Sequence, residues 1–222
     1  MAQARPSGSA GGRAVRRWLR SLLPAEVANH HPIGHGPGTV YWNLGWIVTQ
    51  TMKRDAMSIT DDVQRRSAHI HWPADVNPDR ADLFAHNDIV VNAPADVIWN
   101  HLVRSSAWPS WYSNASDVVV NAPSGILGPG VTFDWLTFGA SIHSTVHGFE
   151  PGNRIGWYGN ASQWQAYHTW LLMPRPDGST YVVMEETGDG ASSRTLAAAN
   201  PGHMHRGHDL WNISLKFLCE SQ

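Results

Sequence analysis

The chain has 222 residues, a formal net charge of −2, one cysteine and 12 tryptophans. A charge this close to zero argues against nucleic acid as a partner of the whole chain. A lone Cys219 excludes an intramolecular disulfide and a cysteine-based zinc site, and fits a cytoplasmic protein. The length suits one domain plus an extension.

Residues 1–38 are rich in Ala, Gly, Ser, Pro and Arg and read as a disordered basic tail. Arg16-Arg17 is similar to a twin-arginine signal, but too few apolar residues follow before Pro24; a secretory core needs roughly 7–15. A surface-seeking helix over Arg13 to Leu23 is the alternative. His30, His31 and His35 have no carboxylate or cysteine beside them and read as loop.

Residues 39–81 read as a helical extension and linker. Trp42, Trp46 and Thr49 share one helical face, in a segment too short and polar for the about 20 apolar residues that span a bilayer. Three readings stay open. The segment docks on the domain or on a second copy, giving a homodimer or surface contact through 39–56. It is a lid or membrane-contact helix. Or the natural start is Met57. Ser58 to Arg66 reads as a polar helix. His69 and His71 share a side and lack a third ligand, so packing or surface roles are expected.

From residue 82 onward the pattern changes to strands. Leu83 to Val91 is the first, broken at Asn92-Ala93-Pro94, and Pro94 suits the start of a helix. Val97, Ile98, His101 and Leu102 recur at helical spacing, and Trp108 to Tyr112 is an aromatic helical turn. Strands are predicted over Asp117–Asn121, Val131–Phe138, Ala140–Glu150, Arg154–Gly159, Gln163–Met173 and Ser179–Glu186, joined by Gly/Pro/Asn/Asp turns as in an antiparallel meander. Pro201 to Glu220 is predicted helical, with Met204, His208, Trp211, Leu215 and Leu218 as its apolar stripe.

These landmarks carry a resemblance. The strand, Asn92-Ala93-Pro94 and Val97, Trp108-Pro109-Ser110-Trp111, Gly130 to Trp135, Phe149-Glu150-Pro151, Ile155-Gly156-Trp157, Ala166 to Trp170, and Asp177 to Thr180 before Glu185-Glu186 come in an order that resembles the SRPBCC superfamily. That group includes START-like and polyketide cyclase/dehydrase-like proteins. The resemblance runs from about Asp82 to the C-terminus. It implies an α+β helix-grip fold: a curved antiparallel sheet wrapped around a long C-terminal helix, here with an N-terminal extension. It also implies a deep apolar pocket between the two, as in lipid transport.

Strand parity names the inward side chains. They are Phe133, Trp135, Ser144, Trp157, Trp170 and Met184, with His208 and Trp211 from the helix, as ligand-binding residues. His168 and Glu186 are the candidates for acid–base work. Blander readings stand beside them: His168 as a core histidine, Glu186 as a solvated rim residue, His208 as a cap beside Gly207. His203 and His205 fall on different helical faces, so His203, His205 and His208 are not expected to form a metal set. No metal or other cofactor, nucleic-acid partner or transmembrane segment is expected.

The reading favoured is a module that binds a small hydrophobic molecule, aromatic or polyketide-like. The alternative is a polyketide cyclase/dehydrase-type enzyme using the pocket His and Glu. A third is a toxin–antitoxin-type or quinone-binding partner protein. The fold alone cannot choose among them.

Overall fold

The computed structural model of the chain describes residues 62–221. The expected basic tail, the helix carrying Trp42 and Trp46, the contact through 39–56 and the start at Met57 lie outside these residues.

Among the described residues, β-branched and aromatic residues alternating with Gly/Asn/Asp turns give seven strands. They are β1 (Leu83–Val91), β2 (Ala115–Val120), β3 (Thr132–Thr137), β4 (Ala140–Glu150), β5 (Arg154–Ala161), β6 (Trp164–Pro174) and β7 (Thr180–Asp189). They form a single antiparallel sheet in the order β1-β7-β6-β5-β4-β3-β2. The meander is therefore as predicted, and the first strand closes against the last. Register breaks at Ser116/Val119 and Val146/Gly148 mark bulges, which bend and twist the strands that carry them.

Between β1 and β2 lie α1 (Ala95–Val103) and a 3-10 turn, Ser105–Ser110. Pro94 stands one residue before α1, as its cap, and its carbonyl accepts from Val97 N at 3.2 Å. Having no N–H, Pro94 loses nothing there. Helix α2 (Ala191–Ala199) follows β7. The sequence pattern does not predict this helix, because Ala and Ser dominate it and leave a thin apolar stripe; only Ser193 and Leu196 of it are buried.

The C-terminal helix α3 (His203–Glu220) has 18 residues, about 27 Å at 1.5 Å per residue. It buries Met204, His208, Trp211, Asn212, Leu215 and Cys219. The predicted stripe holds except at its end, where Cys219 and not Leu218 turns inward. Polar bonds tie α3 to β1: Asn87 Nδ2 donates to Asp209 Oδ1 at 2.8 Å, and Lys216 Nζ to Val90 O at 2.8 Å. The result is an α+β helix-grip fold, a seven-stranded antiparallel sheet packed against one long helix.

The sheet's other face is also covered. Ile70 packs on Leu171 and Val183, and Trp72 lies against Phe84 and Tyr167. This explains why β6 is buried on both faces from Tyr167 to Leu172. His69 and His71, flanking Ile70, are exposed.

Candidate functional site

The site grows from one row across the sheet. Trp157 on β5 pairs with His168 on β6, and His168 pairs with Glu186 on β7. Pairing at one register sends all three side chains to the same face. Helix α3 closes over them and brings His208 and Trp211, three residues apart and therefore on one helical side.

The polar heart is His168–Glu186–His208. His168 Nδ1 lies 2.6 Å and His208 Nε2 3.1 Å from the same oxygen, Glu186 Oε2. His168 and His208 are 3% and 1% exposed. Glu186 is no solvated rim residue: its side chain is 14% exposed and held by both imidazoles. Around them stand indoles. Trp157 stacks on His168 at 4.6 Å between ring centres, and Trp211 lies 5.2 Å and Trp170 5.8 Å from it.

Two opposed effects set the protonation. Burial alone would raise the Glu186 carboxyl, but the hydrogen bonds and positive charge of the two histidines outweigh it and hold the pKa at about 2. Burial pushes His168 below its ordinary value, against the pull of Glu186, while His208 adds to the lowering. The carboxylate is thus ionised at neutral pH. If each ring gives its N–H to Glu186, then His168 Nε2 and His208 Nδ1 carry lone pairs. Neither atom has a hydrogen-bond partner among the described residues, and nor do the indole N–H groups of Trp170 and Trp211.

The other residues singled out from sequence lie further along the same interior. Phe133, Trp135, Trp170 and Met184 are buried in the main core. The buried Ser144 hydroxyl accepts from Trp135 Nε1 at 3.1 Å, so its oxygen already has a partner within the protein. The rings meet one another. Trp108, which strand parity could not place, sits among them, with ring centres 5.8, 5.2, 5.6 and 5.1 Å from Phe133, Trp135, Trp157 and Trp211. Tyr112 stacks flat on Trp211 at 4.5 Å. The aromatic turn after α1 was the signal for both, although its spacing did not say which way the rings face.

A surface recess of about 350 Å³ lies beside this cluster, lined in part by Asn114, Phe138, His203, Gly207 and Leu210. Phe138 is the phenyl ring of its lining. The ring is 5.2 Å from His203 and 6.5 Å from His208. Phe138 and Gly139, the two residues at the β3–β4 turn, have φ of +50° and +74°, the signs of a type I′ hairpin. Left-handed backbone costs an aromatic residue of order 1 kcal/mol. Gly207 leaves room for the ring, since a Cβ there would lie 2.2 Å from two of its carbons.

His168, Glu186 and His208 are also the one set of histidine and acidic groups among the described residues whose atoms converge closely enough for a metal ion, within 4.8 Å. Sequence reasoning expected no such set, because its members come from two strands and a helix. The H-M-H-R-G-H histidines do scatter: His203 goes to Phe138, His205 to Asp62 at 2.9 Å, and His208 to Glu186. A second buried polar group, missed from sequence, lies under the 62–82 segment. There His86 Nδ1 meets Glu185 Oε1 at 2.7 Å, and Ser67 N donates to the same oxygen at 2.6 Å.

Residues 85–207 match the family described as "Polyketide cyclase / dehydrase and lipid transport". Among solved structures, a hypothetical protein (jhp0584) from Helicobacter pylori is similar with a TM-score of 0.65 and 24% identity, over 69% of this chain and 98% of its own. The ZhuI aromatase/cyclase from Streptomyces sp. R1128 gives 0.52 and 12%, over 62% and 93%. A START superfamily protein from Mycobacterium smegmatis gives 0.50 and 13%, over 62% and 97%. At these identities the likeness is one of fold. No curated protein matches the sequence. No helix among the described residues is long and apolar enough to cross a membrane. By its family match and its helix-grip architecture, the chain belongs to the polyketide cyclase/dehydrase and lipid transport family of the SRPBCC superfamily.

Proposed function

We propose that this protein binds a small aromatic or polyketide-like molecule carrying hydroxyl and carbonyl groups, and that His168, Glu186 and His208 meet those groups. One observation carries the reading: two buried imidazole nitrogens and two buried indole N–H groups have no hydrogen-bond partner among the described residues and lie in a single aromatic cluster. Each such group costs about 1–3 kcal/mol when left unmade. The imidazole lone pairs would accept from a ligand hydroxyl, and the indoles would donate to a carbonyl. Apolar rings supply the rest of the surface, as in ligand sites generally. The recess beside Phe138 is the way in, with that ring swinging aside.

An enzymatic reading rests on Glu186 Oε2, which both histidines approach. A carboxylate between two imidazoles can pass a proton from one to the other, as a cyclase or dehydrase step would require.

Native mass spectrometry of protein purified from its own host tests the first reading. A co-purifying aromatic molecule, lost from His168→Ala, supports it; the bare chain mass in every preparation, with no uptake of hydroxylated aromatic ketones, removes it. Turnover of a bound ketone that vanishes in Glu186→Gln while binding survives would establish the second.

A further inference from the structure

We propose that His168, Glu186 and His208 form a binding site for a divalent transition-metal ion, zinc or ferrous iron. Two imidazole nitrogens and one carboxylate oxygen converge, all within 4.8 Å of one another. This is the donor set of zinc sites with an open position and of two-histidine, one-carboxylate iron sites.

The spacing suits an ion. With bonds of about 2.0–2.1 Å, neighbouring donors stand about 2.9 Å apart in an octahedral site and about 3.3 Å in a tetrahedral one. His208 Nε2 already lies 3.1 Å from Glu186 Oε2, and His168 Nδ1 lies 2.6 Å from it. Entry of the ion therefore asks the His168–Glu186 pair to part by a fraction of an ångström, with the two imidazole nitrogens, within 4.8 Å of each other, adjusting toward the same range. Two adjacent strands and α3 each supply one donor, so the set is fixed by tertiary structure. Aromatic rings screen it, and the 14% exposure of the Glu186 side chain leaves an edge where water or a ligand oxygen completes the coordination.

Binding has a consequence for the organic ligand. A ligating imidazole nitrogen carries no proton. His168 would shift its proton from Nδ1 to Nε2, and His208 from Nε2 to Nδ1. The two nitrogens that accept in the metal-free protein then donate. A metal-loaded site would prefer a carbonyl or carboxylate where the metal-free site prefers a hydroxyl.

The inference goes beyond ligand binding and is tested with no organic ligand, so the two can fail separately. The full chain is stripped with chelator, dialysed against Zn²⁺, and its metal counted by mass spectrometry. One zinc per chain is expected to be lost, or held at least tenfold more weakly, in Glu186→Gln, His168→Ala and His208→Ala. The double variant His203→Ala/His205→Ala should keep it. No retained zinc, or retention unchanged in the three site variants as a site at His30, His31 and His35 would give, overturns the proposal. If the variants fail to fold, Co²⁺ added to the wild-type chain decides. Paramagnetic shifts of the His168 and His208 ring protons are expected, and their absence overturns it.

Discussion

Replacing Trp108 with alanine probes the interior most severely. The side chain is fully buried and touches four other aromatic rings, and its indole N–H donates to Leu102 O at 3.2 Å. A buried tryptophan hides about 150–250 Å², worth about 4–6 kcal/mol at 25 cal/mol per Å². Alanine keeps a small part of that, and the Leu102 carbonyl loses a partner. The expected loss is about 3–5 kcal/mol, the usual range for such truncations. Urea unfolding followed by circular dichroism measures it as a lower midpoint at constant slope. The hole left is apolar and indole-shaped, so free indole should bind it and restore stability, by about 2.7 kcal/mol at a hundredfold excess over Kd. A loss below about 1 kcal/mol, or no rescue by indole, would mean that these rings surround open space rather than fill it.

Acid should weaken the fold in two overlapping stages. The His168 imidazole is held below its ordinary 6.5, so the unfolded chain takes up a proton first and stability drains as pH falls below 6.5. The Glu186 carboxyl is held at about 2 against 4.5, so its contribution is present above 4.5 and is lost as pH falls toward 2. Glu186→Gln should flatten the lower part of the urea-midpoint profile; parallel profiles below pH 4.5 would show that the pairing is absent in solution. Gly207→Ala would bring a methyl to 2.2 Å from the Phe138 ring and must push it out. About 1–2 kcal/mol of destabilisation is expected, with altered ligand association rates in stopped-flow fluorescence; unchanged rates would discount the Phe138 door. Ile70→Ala should cost about 2–4 kcal/mol, because Ile70 is 5% exposed against Leu171 and Val183. A chain starting at Met57 should melt cooperatively, and one starting at Asp82 should melt earlier by a similar margin.

The fold was legible because its signals are local and periodic. Alternation in Phe133, Trp135, Thr137 and in Ser144, Val146 placed the inward faces of β3 and β4, and the four-three-four stripe of α3 placed Trp211 against them. Helix α2 was missed because Ala and Ser leave almost no stripe to read. The site was half legible. Parity named His168 and Glu186, but not that their strands run in a register that sets them side by side. Nor could it show that α3 drops His208 onto the same oxygen. Trp108 lies at a turn, where no period exists to assign a direction, and Phe138, predicted as the last residue of a strand, falls instead in the β3–β4 turn. The His86–Glu185 pair escaped because it depends on the β1–β7 register, which sets the two side by side, and on the 62–82 segment that covers them, where Ser67 N reaches Glu185 Oε1.

The central claim is that a polar cluster inside an aromatic interior receives a small molecule. Tryptophan fluorescence is the direct reporter, since Trp157, Trp170 and Trp211 all lie within 6 Å of the His168 ring centre. Titration with a panel of hydroxylated aromatic ketones should give saturable quenching in the wild-type chain. In His168→Ala the affinity should fall by about 1–2 kcal/mol, roughly five- to thirtyfold, as for one lost hydrogen bond. No saturable quenching with any member of the panel, or equal affinity in the two proteins, would contradict the account.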